Sequence, residues 1–382
     1  MRILHAVEFY EPSVGGAQEV VRQISRRLAE RGHEVTVATS AMPERGESSI
    51  DGVEVAEFDV RGNAVRGIEG ADVDAYRRFV ADGDHDVVMT YAAQQWTTDA
   101  LLPVLDSIEK PKVLAPCGFA ALHDPDWAGY FEALPDHLRA FDELIFHSDT
   151  YQDISFARAA GIDSLTVIPN AADEREFGER REPGWPNGGH GPGPLLLTVG
   201  GHTGLKGHAQ AMSALRASER AGRLVIVGNT PTGRGCLPAC RVRAALTRLR
   251  GGRVHLVDPP RDWVLDLYFH ADLFVFCSMI ECSPLVLFEA MAAGLPFVSV
   301  DVGNAAEIAE WSGAGVVVPS PRRDDGLVEP DSAAVARAVD DLLADPDRMR
   351  AMGESGRAAW RERFTWDAIA ARYEEAYMRV AA

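Results

Sequence analysis

The fold is decided by one stretch of sequence, Glu281-Cys282-Ser283-Pro284-Leu285-Val286-Leu287-Phe288-Glu289-Ala290-Met291-Ala292-Ala293-Gly294. Ser283 is a favourable N-cap residue, Pro284 a favourable first helical residue and Gly294 a favourable helix stop. The stretch therefore predicts a loop that carries Glu281, followed by a buried, almost wholly apolar helix with Glu289 on its second turn. The apolar run 273–276 just before it predicts a strand, so strand, loop and helix form one unit of a parallel α/β sheet.

The two glutamates bracket the N-terminus of this predicted helix. Glu289 lies roughly 7 Å along the helix axis from Pro284. Between the two carboxylates, the first helical amides have no intrahelical partner and carry about half a positive charge. Such a helix end binds a diphosphate. The predicted phosphate-binding turn consists of Ser283, Pro284, Leu285 and Val286.

A carboxylate buried on an apolar helix needs partners for its oxygens. Without them, burial of Glu289 costs several kcal/mol. The hydroxyls of a ribose would satisfy it, which places the sugar of a nucleotide diphosphate sugar toward Glu281. A purely structural alternative also fits the spacing, with Glu289 paired to an arginine and Glu281 merely exposed.

The same strand–helix alternation continues on both sides of this stretch and predicts parallel sheets. It is interrupted over 178–194, where the density of glycine and proline predicts an interdomain linker. We therefore predict an N-terminal Rossmann-like domain over 1–180, a linker over 181–194, a second Rossmann-like domain over 195–362 and a terminal helix over 363–382.

The composition excludes several classes of function. Of the 382 residues, 46% are hydrophobic and 25% are charged, as in an ordinary globular protein. The net charge of −19 argues against a nucleic-acid partner held through its phosphates. No apolar run is long enough to span a bilayer, and the first residues lack a signal-peptide pattern. These features predict a cytoplasmic protein, at most associated with the inner face of the membrane.

The cysteines and acidic triplets do not predict a metal site. Cys236 and Cys240 form the one close pair of thiols among five cysteines, and two thiols alone do not hold zinc. We therefore predict reduced or buried thiols. Asp-x-Asp triplets are expected at surface turns of so acidic a chain, so no metal is predicted.

Two glycine-containing loops are candidate phosphate-binding elements. The first, 200–207, follows a predicted strand and carries Lys206, one of few lysines in the chain. Its amides and its cation can approach phosphates, and the ammonium can neutralise charge on a departing diphosphate. The second carries Gly15 and Gly16 before the first helix, where the backbone can approach a phosphate or an acceptor.

The pattern Glu-x7-Glu, ending in Glu289-Ala290-Met291-Ala292-Ala293-Gly294-Leu295-Pro296, resembles the donor-site signature of retaining glycosyltransferases of family 4. The resemblance covers nearly the whole chain through Gly15-Gly16, Val167-Ile168-Pro169-Asn170, Lys206-Gly207 and Trp366-Asp367. It implies the α/β GT-B fold, in which two Rossmann-like doubly wound domains face a central cleft and a C-terminal helix returns to the first domain.

The resemblance also implies roles for the motif residues. In that family the second glutamate binds the ribose hydroxyls and the first meets the donor sugar, which assigns these roles to Glu289 and Glu281. Lys206 and Glu281 are then the predicted catalytic residues. Gly15 and Gly16 are expected to face the donor phosphates. The first domain is then the acceptor domain and the second the nucleotide-sugar donor domain.

The chain departs from the family pattern at two places. Family members usually carry an arginine five residues before the lysine, where this chain has Gly201. Either His202 partly replaces it or an arginine elsewhere in the chain supplies the charge. Many relatives have His-Gly after a first-domain strand, where this chain has Cys117-Gly118. These two residues are predicted near the acceptor or the donor sugar. His123 is a candidate substitute, or else an ordinary core or surface histidine.

The implied function is transfer of a sugar from a nucleotide diphosphate sugar to a glycan or lipid-linked acceptor, as in polysaccharide biosynthesis. The anomeric configuration would be retained, with no cofactor beyond the nucleotide sugar and no metal. A lipid-linked acceptor would allow a peripheral position at a membrane. The alternatives are a non-catalytic sugar-nucleotide binding subunit and a sugar-nucleotide epimerase of the same fold.

Overall fold

The computed structural model describes residues 1–179, 193–229, 235–249 and 251–382, and it divides into two compact units. Unit 1 comprises Met1–Asn170 and Trp366–Ala382, and unit 2 comprises Ala171–Thr365. The predicted linker lies outside the described residues up to position 192. Residues 171–179 belong to unit 2, although we predicted the first domain to extend to 180.

Contacts with the end of unit 2 explain this boundary. The indole of Trp360 donates to the carbonyl of Ala172 at 3.0 Å, and the amide of Ala172 donates to the carbonyl of Phe364 at 3.1 Å. Phe177 is fully buried and lies edge-on to Tyr268. The segment before the linker is therefore part of the second core.

Unit 1 is built on a parallel sheet. Its strands are β1 (Arg2–Ala6), β2 (Glu34–Ser40), β3 (Ser49–Ile50), β4 (Val53–Phe58), β5 (Arg61–Asn63), β6 (Gly67–Glu69), β7 (Val87–Tyr91), β8 (Lys112–Ala115), β9 (Glu143–Phe146) and β10 (Leu165–Val167). Its helices are α1 (Gly16–Glu30), α2 (Val73–Asp82), α3 (Trp96–Asp99), α4 (Ala128–Arg139) and α5 (Gln152–Ala159), with the terminal helix given below. Eight of these strands form one sheet in the order β10-β9-β8-β7-β1-β2-β4-β3, in which only β3 is antiparallel to its neighbour, and β5 and β6 form a separate antiparallel pair.

Unit 2 is a six-stranded, wholly parallel sheet with the order β13-β12-β11-β14-β15-β16. Its strands are β11 (Leu195–Val199), β12 (Arg223–Val227), β13 (Arg253–Val257), β14 (Leu273–Phe276), β15 (Phe297–Val300) and β16 (Gly315–Val318). Its helices are α6 (Glu174–Phe177), α7 (His208–Ala217), α8 (Leu237–Arg248), α9 (Arg261–His270), α10 (Leu285–Ala293), α11 (Ala305–Ser312), α12 (Ser332–Leu343) and α13 (Pro346–Arg363). This is the doubly wound order of nucleotide-binding sheets.

The last helix, α14 (Trp366–Ala381), belongs to unit 1 and packs against α1. The buried imidazole of His5 on β1 connects the two helices. Its Nδ1 lies 2.7 Å from Oγ of Ser25 on α1, and its Nε2 lies 2.9 Å from Oη of Tyr377 on α14. The returning terminal helix is therefore anchored to the centre of the unit 1 sheet.

The strand order places a topological switch point in each sheet, where two neighbouring strands have their helices on opposite faces. In unit 1 it lies between β1 and β7, and in unit 2 between β11 and β14. Loops at the carboxyl ends of such strands form the ligand sites of open α/β sheets. Across the described part of the chain, no helix combines the length and apolarity needed to cross a membrane.

Candidate functional site

The unit 2 switch point brings together two loops that are far apart in sequence. Strands β11 and β14 pair in register, with Leu197 opposite Phe274. Their carboxyl ends therefore place loop 200–207 beside loop 277–284. The amide of Met279 donates to the carbonyl of Leu205 at 2.8 Å and joins the loops directly.

The two predicted catalytic residues meet at this junction. Nζ of Lys206 donates to Oε1 of Glu281 at 2.6 Å. The hydroxyl of Ser278 donates to the same carboxylate oxygen at 2.8 Å. The Lys206 side chain is 32% exposed and that of Glu281 is 14% exposed, so solvent reaches the pair. An oriented ammonium is thus held at the strand ends, where it can meet an anionic ligand.

Glycine at position 207 makes this close approach of the loops possible. Gly207 has φ +67°, and a Cβ there would lie 1.7 Å from the carbonyl oxygen of Cys277. Any side chain would therefore push the two loops apart. Gly207 is also the N-cap residue of α7, so the lysine lies directly before the cap of a helix.

Helix α10 begins one residue later than predicted. Pro284 is the N-cap residue and Leu285 the first helical residue, whereas Ser283 was expected as the cap and Pro284 as the first turn. Pro284 has an extended ψ of 113°, which excludes it from the helix. The other end agrees with the prediction, because Gly294 ends the helix at φ +72°. The predicted phosphate-binding turn, including Val286, is therefore the amino end of a helix whose apolar side chains are mostly buried.

Glu289 has two protein partners. Nη2 of Arg261, the first residue of α9, lies 2.5 Å from its Oε1. The hydroxyl of Tyr268 donates to its Oε2 at 2.7 Å. Arg261 also binds Glu176 on α6, with Nη2 2.6 Å from Oε2. The arginine pairing that we left open as the structural alternative is therefore present at Glu289.

The charges in this network shift the ionisation of its members. Burial lowers the pKa of Arg261, but the carboxylates of Glu289 and Glu176 outweigh it and hold the pKa well above its ordinary value. Burial and the neighbouring Glu289 charge raise the pKa of Tyr268. Glu289 itself is 14% exposed. Its carboxylate is therefore preorganised by an arginine and a tyrosine and still reachable from solvent.

Arg261, Tyr268 and Glu176 did not enter the sequence analysis. All three lie on helices distant in sequence from α10, so their convergence depends on tertiary packing. The one local signal was Pro259-Pro260 before Arg261, which indicates a helix start with a cation in its first turn.

His202, which we predicted to bind the donor, directs one ring nitrogen toward neighbouring side chains. The residue is only 1% exposed, and its Nδ1 faces Nδ1 of His208 at 3.2 Å and Sγ of Cys236 at 3.7 Å. This nitrogen is directed into the protein. The side chain therefore does not replace the arginine missing at Gly201 through Nδ1.

The unit 1 switch point carries the predicted glycines. Gly15 is the N-cap residue of α1, and Gly16 is its first residue. A Cβ at Gly16 would meet no described atom within 4 Å, whereas one at Gly15 would meet only the flexible end of Gln18. Gly16 is exposed, so solvent reaches the backbone at the amino end of α1.

The backbone is strained at the carboxyl ends of β7 and β8. Cys117, Gly118 and Phe119 have φ of +58°, +104° and +49°, and Ala92 and Gln94 also have positive φ. Non-glycine residues adopt this conformation at a cost of order 1–3 kcal/mol each, and such residues concentrate at ligand sites. The side-chain amide of Gln152 holds the turn by donating to the carbonyls of Gly118 and Phe119. Cys117 and Gly118 therefore lie in a turn at the strand ends that side-chain hydrogen bonds hold in place.

Glu8 follows β1 at the same edge of the sheet and was not predicted as a site residue. Burial, and secondarily the charge of Asp99, raise the pKa of Glu8 to about 7. Asp99 accepts from the amide of Ala64 and from the hydroxyl of Tyr130. A carboxylate of this kind can exchange a proton near neutral pH.

Two histidines of unit 1, His123 and His147, lie after strands of its sheet. His123 is exposed in the loop after the strained turn. His147 is buried, with Nε2 2.9 Å from the Tyr91 hydroxyl and Nδ1 2.9 Å from the Ile168 carbonyl. Both of its ring nitrogens are occupied by the protein.

Comparison with known proteins finds two family models that match successive parts of the chain. The family model "Glycosyltransferase Family 4" matches residues 14–176, and the model "Glycosyl transferases group 1" matches residues 193–345. The chain belongs to the family 4 glycosyltransferases.

Curated relatives of this glycosyltransferase have several different substrates. D-inositol 3-phosphate glycosyltransferase of Xylanimonas cellulosilytica is 28% identical over 95% of this chain and 91% of its own length. GDP-mannose:cellobiosyl-diphosphopolyprenol alpha-mannosyltransferase of Xanthomonas oryzae is 24% identical over 99% of this chain and 96% of its length. The match to alpha-maltose-1-phosphate synthase of Mycolicibacterium smegmatis is 31% identical but spans 50% of this chain and 49% of that protein.

Solved structures show the fold of the glycosyltransferase. Sucrose-phosphate synthase from Thermosynechococcus elongatus superposes with a TM-score of 0.79 at 20% identity, over 99% of this chain and 98% of that one. Anabaena HepE in complex with UDP gives 0.76 at 17% identity, over 99% and 100%. The GT-B fold, with two Rossmann-like domains, is therefore confirmed.

Proposed function

We propose that this glycosyltransferase binds a nucleoside diphosphate sugar at the unit 2 switch point and transfers the sugar with retention of configuration. The observation that carries the proposal is the Lys206–Glu281 pair, formed between two strand-end loops at the amino end of helix α10. It combines a cation, backbone amides and a carboxylate in one place. These are the groups that a sugar diphosphate requires.

Each part of the donor has a candidate partner. The diphosphate lies against the turn Ser283–Val286, with Lys206 near the leaving phosphate. The ribose hydroxyls bind Glu289, whose carboxylate Arg261 and Tyr268 hold in place. The sugar lies toward Glu281.

The reaction is a substitution at the anomeric carbon. Its bond to the diphosphate oxygen breaks while the acceptor hydroxyl forms a new bond on the same face, and the hydroxyl proton passes to the leaving phosphate oxygen. Such a step depends on positioning and on charge stabilisation more than on a protein base. The Lys206 ammonium and the helix end supply positive charge, so we propose that the reaction needs no metal ion.

The acceptor is assigned to unit 1. The loop after β1 exposes Phe9 (43%) and Val14 (86%) close in sequence to the exposed amino end of α1. Exposed apolar side chains beside a polar helix end suit an acceptor with a hydrocarbon part. The relative that acts on a cellobiosyl-diphosphopolyprenol supports a lipid-linked glycan over a free sugar. Such an acceptor places the enzyme at a membrane surface.

The test is acceptor-dependent release of nucleoside diphosphate. UDP-, GDP- and ADP-linked hexoses are incubated with the protein, with and without a lipid-linked glycan extract. We expect release with one donor only when acceptor is present, a rate unchanged by Mg²⁺ or Mn²⁺, and a product anomer equal to that of the donor. An inverted anomer would exclude retention, a cation requirement would exclude the metal-free step, and no release with any pairing would contradict the proposal.

A further inference from the structure

The side chains of two histidines and two cysteines of unit 2 lie close together at loop 200–207. His202 lies in loop 200–207, and His208 is the first residue of α7. Cys236 is the N-cap residue of α8, and Cys240 lies one turn later on the same helix face. One nitrogen or sulfur atom of each residue lies within 4.8 Å of the other three. In the part of the chain that the structure describes, this is the one group of histidine, cysteine and acidic residues so arranged.

Three of the six distances between ligand atoms of the cluster are close to those of a tetrahedral zinc site. With Zn–N bonds of about 2.0–2.1 Å and Zn–S bonds of about 2.3 Å, a tetrahedron places two nitrogens about 3.3 Å apart, nitrogen and sulfur about 3.6 Å apart and two sulfurs about 3.8 Å apart. The observed separations are 3.2 Å between the histidine Nδ1 atoms, 3.7 Å between Nδ1 of His202 and Sγ of Cys236, and 3.5 Å between the two sulfurs.

The chemistry of the donor set favours zinc among the common metals. Two thiolates and two neutral imidazoles form a set that selects Zn²⁺ over Mg²⁺ or Ca²⁺. Two thiolates balance the charge of the ion, which suits a buried position. His202, His208 and Cys240 are each no more than 3% exposed.

We propose that His202, His208, Cys236 and Cys240 bind one structural Zn²⁺ ion. Zinc binding releases the two thiol protons to solvent and involves no change of oxidation state. Four protein ligands close the coordination sphere, so the ion takes no part in sugar transfer. It would tie both ends of the 202–208 segment, which contains Lys206, to the start of α8. The proposal does not rest on the proposed function.

The backbone around the cluster already has this arrangement. The amide of Cys236 donates to the carbonyl of His202, and the amide of His202 donates to the carbonyl of Asn229, both at 2.8 Å. Backbone hydrogen bonds therefore hold the start of α8 against the loop without a metal ion. Zinc coordination would add a second link between the loop and the start of α8.

The experiment measures zinc in protein purified without metal-affinity resin or chelator. We expect about one zinc ion per chain in the wild type. Cys236→Ser and Cys240→Ser should each bind zinc at least roughly ten-fold more weakly, since even outer-shell changes cost that much. Cys277→Ala and His255→Gln, in the same unit but outside the cluster, should retain it.

Cobalt substitution keeps the proposal testable if the serine variants fail to fold. Wild-type protein stripped of metal and loaded with Co²⁺ should show the visible bands of tetrahedral cobalt with thiolate charge transfer, and added Zn²⁺ should abolish them. Wild-type zinc no higher than in Cys240→Ser, a cobalt spectrum without thiolate bands, or a mass showing a Cys236–Cys240 disulfide would each overturn the proposal. Sugar-transfer activity is measured separately, so failure of either claim leaves the other intact.

Discussion

At the scale of single residues, the ammonium of Lys206 is the group whose charge the proposed reaction uses most directly. Glu281 and Ser278 fix its position through one shared carboxylate oxygen. A preorganised charge at the site where charge develops is worth more than the same charge in water. Its removal should therefore reduce turnover more than donor affinity.

Replacement of Lys206 tests this directly. Lys206→Met should lower kcat by about 10²–10³-fold, the usual effect of losing one charge-stabilising group. Lys112→Met is the matched control, because Lys112 donates to the carbonyl of Ile108 in unit 1 and has no assigned role. Steady-state kinetics with the accepted donor measure both. A kcat within about two-fold of wild type for Lys206→Met would remove the residue from the reaction.

Glu289 and Glu176 form a second matched pair, because both bind the guanidinium of Arg261. If Glu289 binds the ribose, Glu289→Gln should weaken nucleoside diphosphate binding by roughly ten-fold or more, the cost of about one charge-assisted hydrogen bond. Glu176→Gln removes a similar ion pair without touching the nucleotide. Calorimetric titration should therefore show near-normal affinity for Glu176→Gln. Equal losses in the two variants would make Glu289 a structural partner of Arg261 only.

The sequence predicted Lys206 and Glu281 as site residues because both follow strands, where parallel sheets place ligand groups, and the two side chains are in contact. It did not identify Arg261, Tyr268 or Glu176, because side-chain pairing across three helices has no local pattern. His202 was predicted to bind the donor from its position in the loop, whereas its contact with Cys236, which lies 34 residues away, has no local sequence pattern.

At the scale of elements, local sequence determines where strands and helices form, whereas close contacts determine the conformations of the loops. β14 has the bounds that the apolar run 273–276 predicts. The short strands β3, β5 and β6 were not predicted, since two or three residues carry no periodic pattern and are stabilised by pairing with a neighbour. The start of α10 differed by one residue, because Pro284 adopts an extended ψ of 113° and so precedes the helix as its N-cap residue.

Gly207 is the element-scale position most sensitive to change. Gly207→Ala would force a Cβ against the Cys277 carbonyl at a left-handed φ, so it should destabilise the protein by about 2–4 kcal/mol. Gly16→Ala is the control: it has open space around its Cβ and should raise stability by about 0.5–1 kcal/mol. Urea denaturation measures both. Wild-type stability for Gly207→Ala would show that the two loops are not in contact.

At the scale of the whole molecule, His5 makes stability depend on pH. Burial lowers the pKa of His5 to about 3. Because the folded pKa lies below the unfolded value of about 6.5, its contribution is complete above pH 6.5 and is lost as pH falls toward 3. The loss is at most about 1.4 kcal/mol per pH unit in that window.

Replacement of His5 should therefore flatten the acid limb of the stability curve. His5→Gln should show a smaller loss of unfolding free energy between pH 7 and pH 4 than wild type, whatever its stability at pH 7. His123→Gln, which changes an exposed histidine, should leave the slope unchanged. Denaturant titrations at a series of pH values provide the comparison. Parallel curves for wild type and His5→Gln would show that the imidazole titrates normally in the folded protein.

Both units have the same local arrangement at the switch point of a parallel sheet: a loop after a strand, a glycine and the N-terminus of a helix. The sequence predicted two such units because the strand–helix alternation restarts after the glycine- and proline-rich segment. It misplaced the boundary, because Ala172 and Phe177 are held by Trp360, Phe364 and Tyr268 and not by residues near them in sequence.

The position of a nucleoside diphosphate in a crystal of its complex with this protein tests the central claim most directly. The account predicts the diphosphate at the amino end of α10, within hydrogen-bond distance of Lys206, and the ribose hydroxyls on Glu289. A nucleotide bound elsewhere, with the Lys206–Glu281 and Arg261–Glu289 pairs undisturbed and no ligand on either, would contradict it.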